Sequence, residues 1–181
     1  MRDKKNIILG VSASIAIYKA CDILRKLINC GYNVTVVMTA EAEELIRPIV
    51  FQSLSGNKVY RGNLFAAGKS WEIEHISLAD KADLILVAPA TANILAKVAS
   101  GISDDLLSCA ICATKAPVLF APAMNENMFN NKITQANIAK LKSFGYKFIA
   151  VGRGKLACGK VGIGCLAATD DILAQVNKIL G

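Results

Sequence analysis

The chain has 181 residues, 54% of them hydrophobic but only 6% aromatic, and 21 Lys and Arg against 14 Asp and Glu give a net charge of +7. That length suits one domain, 1–181, whose core needs no disulfide or metal staple, and no apolar run reaches the roughly 18 residues of a membrane span. The basic residues are spread along the chain instead of clustering with aromatics, which argues against nucleic acid and for an anionic, phosphorylated small ligand.

A core of Ile, Leu, Val and Ala suits a parallel sheet buried on both faces. The apolar run Asn6 to Leu9 reads as a buried strand, and Ile17, Ala20, Cys21, Leu24, Leu27 and Ile28 follow at the 3.6-residue spacing of an amphipathic helix. Asn29-Cys-Gly31 closes that helix with a glycine placed for a left-handed cap. Asn33 to Met38 is the second strand. Helical turns are expected over Ala40 to Leu45 and Ile49 to Leu54, a turn at Ser55-Gly-Asn57, and a polar loop through Gly68-Lys-Ser70 that leads to His75. Ala82 to Ala88 reads as a third strand, Ala92 to Ala99 as a helix, Asp105 to Ala113 as an apolar helical stretch and Val118 to Ala121 as a fourth strand. A helix over Ile133 to Phe144, a fifth strand over Lys147 to Val151 and a closing helix over Asp170 to Leu180 complete the pattern. Strands separated by helices imply right-handed crossovers and a three-layer, Rossmann-like (flavodoxin-like) α/β fold, a parallel sheet with helices on both faces. Ligands of such sheets gather beyond the carboxyl ends of the strands.

Six cysteines, Cys21, Cys30, Cys109, Cys112, Cys158 and Cys165, are expected as free thiols, since the sequence opens with no export signal, and the cytoplasm is the expected address. Cys109-Ala-Ile-Cys112 lies inside a helical stretch rather than at a helix start, so buried packing is expected there rather than redox chemistry. A single histidine and scattered cysteines offer no paired ligand spacing, and no metal is expected.

Four segments fall at strand ends. Gly10-Val-Ser-Ala-Ser14 offers small residues, hydroxyls and backbone N–H groups at a helix start, which suits phosphate, although it is neither a GxGxxG fingerprint nor a P-loop. In Pro89-Ala-Thr-Ala-Asn93, Thr91 and Asn93 can cap the following helix or face a ligand. Pro122 to Met128 (PAMNENM) is a stiff loop whose Asn125 amide can donate to a carboxylate. Between Gly152 and Gly164 five glycines interrupt the sequence without a hairpin pattern, with Arg153, Lys155 and Lys160 around Cys158. That segment reads as a mobile flap whose cations meet an anionic substrate and lower the thiol pKa.

Taken together, Gly10 to Lys19 (GVSASIAIYK), His75 to Ala79 (HISLA), Pro89 to Lys97, Pro122 to Met128 and Leu156 to Gly159 (LACG) resemble the homo-oligomeric flavin-containing cysteine decarboxylases over essentially the whole chain. The resemblance implies FMN at the carboxyl edge of the sheet. It would lie against Ser12, Ala13, Ser14 and Ile15, against Thr39, Ala40 and Glu41, against Thr91, Ala92, Asn93 and Ile94, and against Ala123. It also implies homotrimers, in some members assembled into homododecamers, with FMN and substrate held between neighbouring subunits. Many bacterial members are fused to a phosphopantothenate–cysteine ligase, so that enzyme, fused or separate, is an expected partner.

The expected reaction is decarboxylation of phosphopantothenoylcysteine to phosphopantetheine in coenzyme A biosynthesis, a carbon–carbon lyase reaction. By resemblance it runs through oxidation to a thioaldehyde, loss of carbon dioxide and re-reduction of the enethiolate, with flavin as the electron sink. His75 would serve the oxidative half as acid/base or by orienting the reacting group. Asn125 would hold the carboxylate beside Met128, Lys155 and the backbone at Ala157 would clamp the substrate, and Cys158 would supply the final proton. Peptidyl-cysteine decarboxylases share the histidine and the PxMNxxM pattern but lack the flap cysteine. Flavin prenyltransferases lack the His75 and Asn125 pair, and flavin-binding regulatory subunits carry a long acidic tail. This sequence departs from the family at Ala13, often glycine, at Lys160, often acidic, and at Cys165, an arginine in many bacterial members.

Overall fold

The computed structural model describes residues 4–62, 74–155, 159 and 161–181. β1 (Asn6–Val11) leads through a 3-10 turn (Ile15–Ile17) into α1 (Tyr18–Asn29), then β2 (Asn33–Met38), α2 (Ala40–Leu45), α3 (Pro48–Ser55) and β3 (Val59–Arg61). α4 (Glu74–Lys81), β4 (Leu84–Ala90), α5 (Ala92–Ser100), α6 (Leu106–Ala113), β5 (Val118–Pro122) and α7 (Glu126–Asn130) follow. The chain continues through α8 (Lys132–Ser143), β6 (Lys147–Phe148), β7 (Gly152–Lys155), β8 (Val161–Cys165) and α9 (Thr169–Leu180). Gly31, at φ +90°, follows α1 in the left-handed conformation its position calls for.

Six strands pair in parallel in the order β3-β2-β1-β4-β5-β6. Without the edge strand β3 that order would read as flavodoxin-like; with it, the order is the doubly wound Rossmann one, whose reversal point lies between β1 and β4. Successive strand residues point to opposite faces. Ile7, Leu9 and Val11 therefore pack with Leu24 and Leu27 of α1, Phe51 of α3 and Val176 of α9, while Ile8 joins Leu95 of α5, Leu107 of α6 and Leu141 of α8 on the other face. The three expected layers are present. Among the described residues no helix is long and apolar enough to cross a membrane.

The structure corrects several local expectations. No element was expected at β3, α7 begins inside the segment expected as a stiff loop, and β6 stops at Phe148 instead of Val151, while His75 lies within α4. The glycine-rich segment is an antiparallel hairpin of β7 and β8. The loop expected through Gly68 to Ser70 lies outside the described residues. The five described cysteines are free thiols, but Cys112 is exposed and Cys109 only half-buried, so the CxxC is not core packing. Burial first, then the Asp105 carboxylate, pushes the Cys109 thiol pKa up, and its Sγ donates to the Ser103 carbonyl at 3.1 Å, which leaves it an inert thiol.

At the opposite edge from the strand ends, Asp83 accepts from the Asn6 N–H at 2.8 Å and pairs with Lys5 at 3.1 Å. The Asn6 hydrogen bond, more than the lysine, holds its carboxyl below the usual range. A depressed folded-state pKa contributes stability that is present above the unfolded value near 4 and is lost as pH falls through the folded one. Asp83→Asn keeps an acceptor for Asn6 but no charge. Chemical denaturation across pH should therefore show the variant less stable than wild type at pH 7, by up to about 1 kcal/mol, with the gap closing as pH falls from the unfolded carboxylate value of about 4 through the lower folded one.

Candidate functional site

Parallel pairing brings the ends of β1, β4 and β5 to one edge, and a single side chain joins two of them. Ser12, 2% exposed, donates its hydroxyl to the Pro89 carbonyl at 2.8 Å and accepts from the Thr91 N–H at 3.0 Å. The Ala123 N–H donates to the Ala90 carbonyl at 3.0 Å, which adds the β5 end, and the Thr39 N–H donates to the Val11 carbonyl at 3.0 Å, which adds β2. Hydroxyl caps then start the helical turns that follow β1, β2 and β4. Ser14 accepts from Ala16 N–H, Thr39 from Ala42 N–H and Thr91 from Ile94 N–H, at 3.3, 3.3 and 3.4 Å. Three helical first turns thus border one volume, and helix starts favour anions because their N–H groups lack intrahelical partners.

That volume is a cavity of about 810 Å³. Ser12, Ala13, Ser14 and Ile15 line it from the β1 turn, Thr39 and Glu41 from α2, Thr91, Ala92, Asn93 and Ile94 from α5, and Ala123 from the end of β5. Of the residues expected around the cofactor only Ala40 is missing from the wall, although its neighbours on both sides are there. Asn125, Met128 and Lys155, expected at the substrate, also line it. His75 does not: it sits half-buried in α4, outside the cavity of its own chain. Ala157, Cys158 and Lys160 lie outside the described residues.

Asn125 is the N-cap of α7. Its Oδ1 accepts from the Asn127 N–H at 2.9 Å, which leaves the amide NH2 as the donor it can offer a ligand. The β7–β8 hairpin meets this loop directly, the Met124 N–H donating to the Gly164 carbonyl at 2.9 Å. Gly164 takes φ +122° and lies against the Met124 carbonyl, a contact that no side chain could share.

Tyr18, Lys19, Asp105, Met124, Gly164 and Leu166 also line the cavity without having been given a role from sequence, and Cys165, noted there as a departure from the family, joins them. Tyr18 and Lys19 follow the β1 turn within one helical turn, so proximity was a signal for them. Asp105 carried another. It accepts from the Ser108 N–H at 2.8 Å while Ser108 Oγ accepts from the Asp105 N–H at 3.2 Å, a capping box written in Asp105 to Ser108. Lys97 bridges Asp104 at 2.7 Å and Asp105 at 2.8 Å. Burial works against its ammonium, but the two carboxylates outweigh it and hold the pKa above the usual lysine value.

Comparison with known proteins agrees with this arrangement. The Flavoprotein family matches residues 1–181, and the chain belongs to it. It is 47% identical over 178 residues to a probable phosphopantothenoylcysteine decarboxylase of Streptococcus mutans, covering 97% of this chain and 99% of that one. It is 44% identical to the coenzyme A biosynthesis bifunctional protein CoaBC of Bacillus subtilis, of whose length it spans 44%. Among solved structures, a cysteine-to-serine mutant of a PPC decarboxylase complexed with pantothenoylaminoethenethiol superimposes with TM-score 0.85 at 28% identity, covering 97% of each chain. The FMN-dependent cysteine decarboxylase SpaF gives TM-score 0.81 at 26% identity, covering 98% of each.

The cavity fits FMN on its own chemistry. Capped helix starts suit the phosphate, and Ile15, Ile94, Ala123 and Leu166 offer apolar surface to a ring system in a volume typical of small-molecule sites. Ser12 is the support beneath this wall. Ser12→Ala removes a buried donor and acceptor at once, and urea unfolding should show a loss of about 1–3 kcal/mol.

Proposed function

We propose that this chain catalyses the FMN-dependent decarboxylation of phosphopantothenoylcysteine to phosphopantetheine. The observation that carries the reading is its 47% identity, over nearly the full length of both chains, to a probable decarboxylase of that substrate. The cavity supports it by gathering the Ser12 turn, the α5 start, Asn125 and Lys155 around one volume. When bound, FMN supplies the reversible two-electron sink that a plain cysteine carboxylate lacks.

In this reading the cofactor is held by Ser12, Ala13, Ser14, Ile15, Thr39, Ala40, Glu41, Thr91, Ala92, Asn93, Ile94 and Ala123, with its phosphate at the capped helix starts. Asn125 Nδ2 donates to the substrate carboxylate and fixes the bond to be broken, while Met128 packs beside it. Lys155 Nζ meets the substrate's negative charge and the backbone of Ala157 contributes to the clamp. Cys158 Sγ would deliver the proton that, together with the two electrons the reduced cofactor would hold, converts the enethiolate to the saturated thiol. His75 accepts or donates a proton at the reacting cysteinyl group, or orients that group.

His75 stands outside the cavity of its own chain, and Ile15 and Tyr18 at the cavity wall are each 63% exposed. Both observations favour a site completed by a neighbouring subunit, as in a homotrimer or a dodecamer of trimers, because exposed apolar groups rimmed by polar ones mark interfaces. We read the chain as one flavoprotein domain, acting in the cytoplasm, where free thiols such as its five described cysteines persist. A phosphopantothenate–cysteine ligase, fused or separate, would supply its substrate.

Anaerobic mixing of the yellow protein with phosphopantothenoylcysteine, followed by absorbance and product mass, tests the reading. Carbon dioxide release with phosphopantetheine is expected, and bound flavin without reaction would overturn it. His75→Asn should keep FMN stoichiometry and oligomer size while turnover falls by at least about 100-fold. Cys158→Ala should still release carbon dioxide but accumulate the enethiol, two mass units below phosphopantetheine; a mass spectrum with only the saturated thiol would remove Cys158 from the mechanism.

A further inference from the structure

Glu126 follows Asn125 and opens α7, and its carboxylate points at the hairpin rather than into the cavity. Its Oε1 accepts from the Ile163 N–H at 3.2 Å. The contact is shaped from both sides: a Cβ on Gly162 would stand 2.6 Å from Glu126 Oε2 and 2.9 Å from its Cδ, so the bare glycine leaves the space the carboxylate fills. Two residues on, Gly164 lies against the Met124 carbonyl and accepts from the Met124 N–H at 2.9 Å. Residues 162–164 of β8 are therefore laid along residues 124–126 by one backbone hydrogen bond, one side-chain hydrogen bond and two glycines.

We infer that Glu126 is a positioning residue, a latch that fixes the hairpin to the loop presenting the Asn125 amide. Its effect on turnover rests on the decarboxylase reading; the contact itself does not. Asn125 caps α7 through the Asn127 N–H, and Glu126 is the first residue of that helix. Helix start, Asn125 amide and β8 consequently form one body. Lys155 ends the strand paired with β8, opposite Val161, so the same latch sets where its ammonium stands relative to Asn125. Without the carboxylate, the single Met124–Gly164 hydrogen bond is a pivot about which the hairpin swings. A substrate gripped at its carboxylate by Asn125 and at its far charge by Lys155 then meets two groups that no longer hold a fixed spacing.

Three variants of the FMN-loaded protein test this: Glu126→Ala, Glu126→Gln, which keeps an oxygen acceptor, and Gly162→Ala, whose methyl displaces the carboxylate from the other side. The first readout is hydrogen exchange of the Ile163 amide without substrate. Loss of one hydrogen bond should speed it about fivefold in Glu126→Ala and Gly162→Ala and leave Glu126→Gln within about twofold of wild type. The second is the split between KM and kcat with phosphopantothenoylcysteine. KM should rise about fivefold or more in the same two variants with bound flavin unchanged, and a larger share of product should leave as the enethiol. Unchanged exchange and KM in Glu126→Ala, or a glutamine variant as impaired as the alanine one, would overturn the proposal. If wild-type protein turns nothing over while Glu126→Ala still speeds exchange, the latch stands and the decarboxylase reading alone falls.

Discussion

The hydroxyl of Ser12 spans the gap between β1 and β4, the two strands at which the strand order reverses. Chains that leave neighbouring parallel strands at such a point diverge to opposite faces of the sheet, and a crevice opens between them. In this molecule α1 goes to one face and α5 to the other. Without a bridge, the two turns would face water across that crevice with their backbone groups only partly satisfied. Ser12 joins them with a donor and an acceptor on one short side chain, and the caps Ser14 and Thr91 then take fixed positions on either side. The cavity wall is thus a consequence of sheet topology, tied across by one buried hydroxyl beside the Ser12 N–H to Pro89 carbonyl hydrogen bond at 3.4 Å.

The parts of the fold legible in the sequence were those whose stability is written locally. β1, β2 and β4 are largely apolar runs of six or seven residues, and α1, α5 and α9 carry the 3.6-residue stripe, α5 with the Thr91 cap before it. The elements that escaped are short or borrow their stability from neighbours. β3 has three residues and exists through its pairing with β2, α7 has five, and β6 is cut to two where the chain turns towards the hairpin. The hairpin itself was hidden by its glycines, which weaken strand propensity; here they mark close approach to another segment. The site was legible where motifs sit at strand ends, since topology alone sends those ends to one edge. Asp105 and Leu166 escaped because nothing local says which way the loops carrying them turn back.

The net charge of +7 reads differently once the ion pairs are seen. Lys26, Lys58, Arg61 and Lys97 are each joined to a carboxylate, so they contribute little field to the cavity. Lys19 and Lys155 are cations on the cavity wall, at opposite elements, and the helix starts add partial positive charge between them. Opposing these, Glu41 and Asp105 are on the same wall, Asp105 with its charge partly offset by Lys97, which it shares with Asp104. The balance favours a ligand with separated negative groups over a single dense polyanion.

The walls of the cavity differ in how they are held. One is the end of a six-stranded sheet, backed by fully buried Leu9, Leu86 and Phe120, and it can be displaced only by disturbing the core. The other is a two-stranded hairpin. Such hairpins are marginal by themselves, and this one exposes Val161 and Ile163 to water at 69% and 39%. Among the described residues, two hydrogen bonds attach it to the Asn125 loop, at Gly164 and Glu126. Local opening draws on the weakest connections first, which makes the hairpin, rather than the capped helix starts, the wall expected to yield first.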